Sequence, residues 1–322
     1  MFDNVTLKVY DLPESYNLFD NANIKHDKYG DPYKGILKNM LIWQYPDFLK
    51  ITGSLPKYLR GENITPLKRE EVKQAIKKLE KDIGLSLENA IVSSVEFGTS
   101  VKVKELSCEY MFLFGHINRL DRHLFSYGNI NQPFRDKVSN RNGLETLTYT
   151  TRTGSYKFIV YNKIREILDN KGVIPLSFED CNVLRLEYKI LDREGIKKQF
   201  NGNLTAYRLF YKKYYRRFQE LFYKQYKSIG KMGRLVYVNK SKEITPRIFT
   251  KIMAEQYRQS YPEEYQQHFQ RFIEAGKISS KKTLEQIKAE NNRLGNDGSF
   301  SDTNLLIKEL DDLVYNSVML GD

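Results

Sequence analysis

Two short segments with a two-residue alternation limit what this chain can fold into. The first is Tyr156-Lys157-Phe158-Ile159-Val160-Tyr161-Asn162-Lys163, and the second is Val183-Leu184-Arg185-Leu186-Glu187-Tyr188-Lys189. Successive side chains of a strand point to opposite faces of its sheet. Tyr156, Phe158 and Val160 therefore share one face, while Lys157, Tyr161 and Lys163 share the other, with Ile159 the apolar exception among them. In the second segment Leu184, Leu186 and Tyr188 oppose Arg185, Glu187 and Lys189. Each strand is expected to have a core face and an open face. If the strands are neighbours, Tyr161 and Glu187 share a surface.

The rest of the chain supplies more strands of this kind. Residues 4–10 alternate, residues 35–53 read as a hairpin around Tyr45-Pro46-Asp47, and Ala90 to Val103 reads as a long strand. Strands are expected near 145–151, 156–163 and 182–190, with Thr153-Gly154-Ser155 as the turn between the first two. Pro66 to Gly84 reads as a helix: Thr65 is a candidate N-cap, Pro66 suits the first helical position, and Gly84 stops it. Residues 108–126 are expected to be helical. This order favours an α+β fold, an antiparallel sheet with helices on one face and the other face free for a ligand.

A change of character falls at Asn201-Gly202-Asn203, giving a sheet-based region 1–203 and a basic, helical region 204–322. Thr205 to Ile229 reads as one long helix with an aromatic stripe of Tyr207, Phe210, Tyr211, Tyr214, Phe218, Leu221, Phe222 and Tyr226. Between them stand Arg208, Lys212, Lys213, Arg216 and Arg217, and over 204–234 only Glu220 opposes nine Lys or Arg. Such a surface suits DNA backbone, with steep salt dependence; a solvated amphipathic helix is the plain alternative. Helical patterns continue through 246–273, 281–294 and 303–317, and Gly295–Ser301 reads as a loop.

The 322 residues carry a net charge of +12, which points to a polyanionic partner, nucleic acid or an anionic membrane surface. A membrane is disfavoured, because no stretch approaches the roughly 20 apolar residues needed to span one. Met1-Phe2-Asp3-Asn4 lacks a signal-peptide layout, so a cytoplasmic protein is expected. With 23 Tyr against one Trp, aromatic faces interleaved with bases are available for stacking, although most single tyrosines serve cores and helix boundaries. Cys108 and Cys181 stand alone. There is no phosphate-binding Gly-rich loop, and the four histidines (His26, His116, His123, His268) form no His-x-x-x-His or His-x-His pair. His116 and His123, seven apart, give only a weak metal signal.

Tyrosine with acids remains. A phenol has a pKa near 10 and is a poor nucleophile unaided. Hard cations such as magnesium prefer carboxylate oxygens and can polarise a phosphodiester. Tyr161, Lys163 and Glu187 on one sheet face are the minimum parts for tyrosine-mediated strand cleavage, and Glu96 on the long strand is a further acid. Three polar residues on a solvated sheet face are the alternative.

The order of these pieces resembles the replication initiators of rolling-circle plasmids, the trans-acting Rep family, and more distantly the gene-two replication proteins of filamentous phages. The resemblance runs through residues 4–210. It rests on Thr52-Gly53-Ser54-Leu55-Pro56-Lys57-Tyr58-Leu59, on Val95-Glu96-Phe97-Gly98, on the Tyr161-Asn162-Lys163 strand and on Leu184-Arg185-Leu186-Glu187. It implies Tyr161 as the nicking nucleophile and Glu96 and Glu187 as ligands of Mg2+ or Mn2+. Lys163 would assist at the phosphate, while Arg185, Lys157 and the basic residues of 208–217 would bind DNA. The departures are Ser94 where an Arg is usual, Glu96 where Asp is usual, Ile164 where a basic residue is frequent, and no His-hydrophobic-His motif. Tyr149 and Tyr156 are rival nucleophiles.

The expected function is origin nicking by a metal-dependent tyrosine endonuclease that starts replication of a plasmid or phage. Its partners would be single-stranded or hairpin origin DNA, a host helicase and polymerase, and a second copy in a homodimer. The alternatives are a non-catalytic DNA-binding initiator and a relaxase- or transposase-like nickase.

Overall fold

The computed structural model describes residues 1–10, 12–21, 23–26, 33–114, 120–126, 144–151, 153–231, 235–237, 285, 300–302 and 304–320. They belong to two compact units. The first comprises Met1–Met111, His116–Gly230 and Asp312–Asp322, and the second Phe112–Gly115 and Lys231–Asp311.

In chain order the elements are β1 (Phe2–Tyr10), β2 (Lys25–His26), β3 (Tyr33–Leu37), β4 (Met40–Gln44), β5 (Phe48–Ser54), α1 (Leu55–Arg60), α2 (Arg69–Ile83) and β6 (Ile91–Val103). There follow α3 (Ser107–Leu113), β7 (Leu120–Ser126), β8 (Leu144–Thr151), β9 (Tyr156–Asn162), α4 (Lys163–Asp169), β10 (Asn182–Ile190), α5 (Arg193–Phe200) and α6 (Lys212–Ser228). The last are β11 (Leu235–Tyr237), β12 (Phe300–Asp302) and α7 (Asn304–Met319).

Ten strands of the first unit form one antiparallel sheet in the order β2-β3-β4-β5-β1-β6-β10-β9-β8-β7. One face is apolar and covered. Phe218 of α6 packs edge-on against Phe2 and Phe97, with ring centroids 4.7 and 4.8 Å apart, and Phe222 lies 5.7 Å from Phe158. Such pairs add packing geometry to simple area burial. On the same side the Tyr156 hydroxyl donates to the Gly195 carbonyl of α5, and Gln219 of α6 donates to the Val318 carbonyl of α7 at 2.6 Å. The opposite face is polar. In the second unit, β11 and β12 pair as a two-stranded ribbon and Lys231 pairs with Asp311 at 3.0 Å. Among the described residues no helix is long and apolar enough to cross a membrane.

Several expectations need correction. The segment 108–126 is not one helix, since α3 ends at Leu113 and Leu120–Ser126 is the edge strand β7. The 205–229 segment is broken at Tyr211, whose backbone is extended (ψ 128°) between a 3-10 turn, Tyr207–Phe210, and α6. The cause is tertiary: Val92 N–H donates to the Leu204 carbonyl, Ala206 N–H to that of Ala90, and Tyr207 donates to Glu80 at 2.8 Å. These bonds tie 204–207 to β6 and α2, so Tyr215 rather than Tyr214 falls on the buried stripe. Helix α2 starts at Arg69 rather than Pro66, because Leu67 is drawn into a bridge with Phe2 and the box of Lys68 and Glu71 caps the helix. Residues 35–53 hold three strands rather than a hairpin alone. Lys163 is the first residue of α4, not the last of a strand: the Asn162 side chain accepts the Arg165 N–H at 3.1 Å and turns the chain. Phe300 and Ser301, expected in a loop, pair in β12. The helical patterns of 246–273 and 281–294, apart from residue 285, lie outside the described residues, as do His116 and His268.

One position sets the register on which the polar face depends. Gly98 of β6 stands opposite Glu187 of β10, and a Cβ there would lie 1.9 Å from the Leu186 carbonyl oxygen and 2.9 Å from the Glu187 Cα. Its N–H donates to the Met1 carbonyl at 2.8 Å, at the bulge where the β1–β6 register shifts. Gly98→Ala is expected to cost at least about 1–3 kcal/mol, as overpacked cores do. Thermal melts check it: the variant melts below the parent, and an unchanged midpoint contradicts the close approach.

Candidate active site on the polar face of the sheet

Register brings the expected residues together. Arg185 is paired with Tyr161 on one side and Ser100 on the other, Glu187 with Ile159 and Gly98, and Lys189 with Lys157 and Glu96. All these side chains belong to the polar face. The Tyr161 hydroxyl donates to Glu187 Oε1 at 2.8 Å. Arg185 Nε donates to the same oxygen at 3.1 Å, while its other nitrogens reach Asp3 Oδ2 at 3.0 Å and Ser100 Oγ at 3.1 Å. Lys189 Nζ lies 3.2 Å from Glu187 Oε2 and 3.1 Å from Glu96 Oε1, and Asn4 donates to Glu96 Oε2 at 2.7 Å.

A second branch anchors the end of β9. Lys163 Nζ donates to Asn63 Oδ1 at 3.0 Å and to Glu166 Oε2 at 2.8 Å. Asn63 in turn donates to Asp3 Oδ2 at 3.1 Å, and Ser54, the N-cap of α1, donates to Asp3 Oδ1 at 2.6 Å. Asp3 thus joins both branches. Lys163 Nζ sits 5.8 Å from the centroid of the Tyr161 ring.

This network is buried where the alternation had implied exposure. Arg185 and Lys163 are fully buried and Glu187 is 3% exposed, so β10 is covered on both faces at these positions. The expectation of an open Arg185 for DNA, and of an open Lys163 at a phosphate, is corrected: both cations are committed to internal carboxylate and amide oxygens. Tyr161, Glu96, Lys157 and Lys189 are half-buried. The rival tyrosines sit on the apolar face, Tyr149 fully buried and Tyr156 stacked on Tyr188. His123 lies on β7, one strand beyond β8.

The electrostatics follow from this packing. Burial, and then the negative charge of Glu187, push the Tyr161 phenol well above its ordinary range. Burial works to raise Glu187 as well, but Lys189 and Arg185, helped by the Tyr161 hydroxyl, outweigh it and hold the carboxyl down at about 2. For Lys189, burial works downward and is outweighed by Glu187 and Glu96, so it stays charged. Tyr161 is thus a neutral donor to a carboxylate that is a weak base.

As they stand, these residues do not fit a divalent cation. The Lys189 ammonium bridges Glu96 and Glu187 where such an ion would lie, and all four carboxylate oxygens already have partners. Among the described residues no three of His, Cys, Asp or Glu are grouped to hold one.

The basic residues of α6 are elsewhere. Lys212, Lys213, Arg216 and Arg217 are exposed and border a groove of about 740 Å³ shared with Asn201 and Tyr214. Because α6 packs on the apolar face, this basic surface and Tyr161 are on opposite sides of the sheet. Arg208 is bound to the Asn203 carbonyl at 2.7 Å and lies over the Tyr214 ring.

Sequence reasoning missed Asp3, Asn63 and Ser100 and left Lys189 outside the site. Lys189 was findable, since it shares the face of Glu187 two residues on. Asn63 lies in a loop and carries no periodic signal.

An antiparallel sheet with helices on one face and a tyrosine–carboxylate–cation cluster on the other is the class this geometry defines. Residues 42–218, more than half of the chain, match the model of a phage family described as the N-terminal part of a replication-associated protein, the gene-two protein. The chain belongs to that family of replication-associated proteins. A solved structure of a rolling circle replication initiator protein from Geobacillus stearothermophilus is similar over 62% of this chain and 77% of that chain, at 10% identity and a TM-score of 0.34. No curated protein matches the chain.

The Glu187 carboxyl titrates near 2 when folded, below the ordinary 4.5, so its contribution to stability is complete above about pH 4.5 and is lost as pH falls toward 2. Acid unfolding followed by circular dichroism is expected to show this: Glu187→Gln loses stability at neutral pH and has a flatter decline between pH 4.5 and 2 than the parent.

Proposed function

We propose that this chain starts rolling-circle replication of a plasmid or phage by nicking one DNA strand at an origin, with Tyr161 as the nucleophile. The observation that carries the reading is the half-buried Tyr161 phenol on the polar face, donating to Glu187 Oε1 at 2.8 Å. The phenol oxygen attacks the scissile phosphorus while its proton passes to Glu187 Oε1. The bond from phosphorus to the 3′ oxygen breaks, the 5′ phosphate stays esterified to Tyr161, and the 3′ oxygen takes up a proton and leaves as a hydroxyl that primes synthesis. Because Glu187 is a weak base, proton transfer accompanies phosphorus–oxygen bond formation rather than preceding it. Arg185 and Lys189 keep Glu187 ionised and aimed. Lys163, bound to Asn63 and Glu166, fixes the end of β9 that carries Tyr161.

Lys157, on the same face as Tyr161, lies along the path of the bound strand. The basic surface of α6, on the other side, suits the backbone of flanking origin duplex. A host helicase and polymerase would take over at the freed 3′ end in the cytoplasm, and a second copy of the chain would serve the closing cleavage. Magnesium or manganese comes to this proposal with the family resemblance, and would have to displace Lys189 to reach Glu96 and Glu187.

A second reading, a DNA-binding initiator without nicking activity, is favoured by that placement of Lys189 between the two carboxylates. One assay separates the two. Supercoiled DNA carrying the element's own origin is incubated with parent or Tyr161→Phe protein, in magnesium, in manganese and in a chelator. Nicking by the parent that falls to background in Tyr161→Phe, with DNA binding unchanged, is the expected result. Undiminished nicking by the variant rejects Tyr161, and binding without nicking by the parent in every condition selects the second reading.

A further inference from the structure

The polar face does not end at the tyrosine cluster. Three to six strand steps from Tyr161, a row of side chains crosses four neighbouring strands in register: Lys34 of β3 opposes Trp43 of β4, Trp43 opposes Lys50 of β5, and Lys50 opposes Lys8 of β1. Lys8 and Thr6 alternate on β1, and Thr6 meets Ser94 of β6 at 2.8 Å, so this row shares the face of Glu96, Glu187 and Tyr161. Lys50 Nζ lies 4.9 Å from the Trp43 ring centroid, and Lys8 Nζ lies 4.8 Å from that of Phe48. Beside the row, Tyr45 stacks on Phe48 with centroids 4.5 Å apart, and the exposed Tyr10 is 5.6 Å from Phe48.

Two features of the row need a reason. Like charges directly opposite each other on a sheet are destabilising, and Lys8 faces Lys50. Nor do the neighbouring strands supply a carboxylate: β3, β4 and β5 carry no acidic residue, and β1 has none from Thr6 to Tyr10. In the tyrosine cluster, by contrast, Arg185, Lys189 and Lys163 each lie against a carboxylate. The lysines of this row lie instead among exposed and half-buried aromatic rings.

We propose that this row is a binding platform for single-stranded DNA, its lysines meeting phosphates and Trp43, Phe48 and Tyr10 stacking on bases. It rests on the reading that the nicked strand crosses the polar face. Stacking platforms between basic side chains are how unpaired strands are held. From Tyr161, Trp43 in this row is five strand spacings sideways and about nine residues along, roughly 40 Å across the face. A strand spanning that distance is within the range of about 4–16 nucleotides that single-strand sites cover.

Trp43 is the chain's one tryptophan, so its fluorescence reports the platform directly. Oligothymidylate titrated into the full chain is expected to quench it, and the same length of duplex is not. Trp43→Ala is expected to weaken oligothymidylate binding about ten-fold, the loss of one stacked base. Lys8→Gln with Lys50→Gln is expected to lower the slope of log affinity against log salt by about 1.4, two phosphate contacts on a single strand. Saturating oligothymidylate that leaves the parent's fluorescence unchanged overturns the proposal without any variant having to fold. Equal losses for duplex and single strand also overturn it. These readouts are independent of nicking: loss of the Tyr161 reading leaves the quench intact, and loss of the quench leaves nicking by Tyr161 intact.

Discussion

The structure turns on a guanidinium enclosed in the sheet. Arg185 lies with no exposure between Asp3 and Glu187, at 3.0 and 3.1 Å. Buried charges cost several kcal/mol each to desolvate and persist only when paired and hydrogen-bonded. Here the pairing links β1 to β10 across the strand between them, so the site forms only when β1, β6 and β10 have assembled. Asp3 then passes the constraint on, through Ser54 to the start of α1 and through Asn63 to Lys163 at the end of β9. The branches meet at Asp3, and Tyr161 is held on one of them through Glu187. A buried ion pair is weak evidence for net stability, but it is strong evidence for a defined geometry, since any other register leaves a charge unpaired.

Much of this was legible in the alternation of two strands. Period two placed Tyr161, Arg185, Glu187 and Lys189 on one face, and hydrophobic Phe158, Val160, Leu184 and Leu186 on the other, and the register agrees. Exposure was not legible. Alternation distinguishes faces, not whether a face is wet, and Arg185 and Glu187 are polar yet enclosed because their partners arrive from distant segments. The same limit explains the long helix: the 3.6-residue pattern of 205–229 is real, but bonds from Leu204, Ala206 and Tyr207 to β6 and α2 override it as far as Tyr211. Lys163 was misassigned for a local reason, since Asn162 reads as a strand residue and acts as a helix cap.

The two faces of the sheet divide the labour. The apolar face is sealed by α5, α6 and the end of α7, which leaves the basic side of α6 pointing away from the tyrosine. The polar face carries a cluster of ion pairs beside Tyr161 and, farther along, lysines set among aromatic rings. The charges of Arg185, Lys189 and Lys163 are thus committed to partners around Tyr161, while Lys157 and the lysine row stand on the same face without a strand neighbour of opposite charge.

The most direct test of the central claim is the identity of the residue that becomes joined to DNA. Trypsin cuts after Lys157 and Lys163, so Tyr161 falls in a peptide, Phe158 to Lys163, that contains no other tyrosine. Mass spectrometry of the digested covalent complex is predicted to find the nucleotide adduct on that peptide. An adduct on a peptide bearing Tyr149, Tyr156 or any other tyrosine would contradict the account.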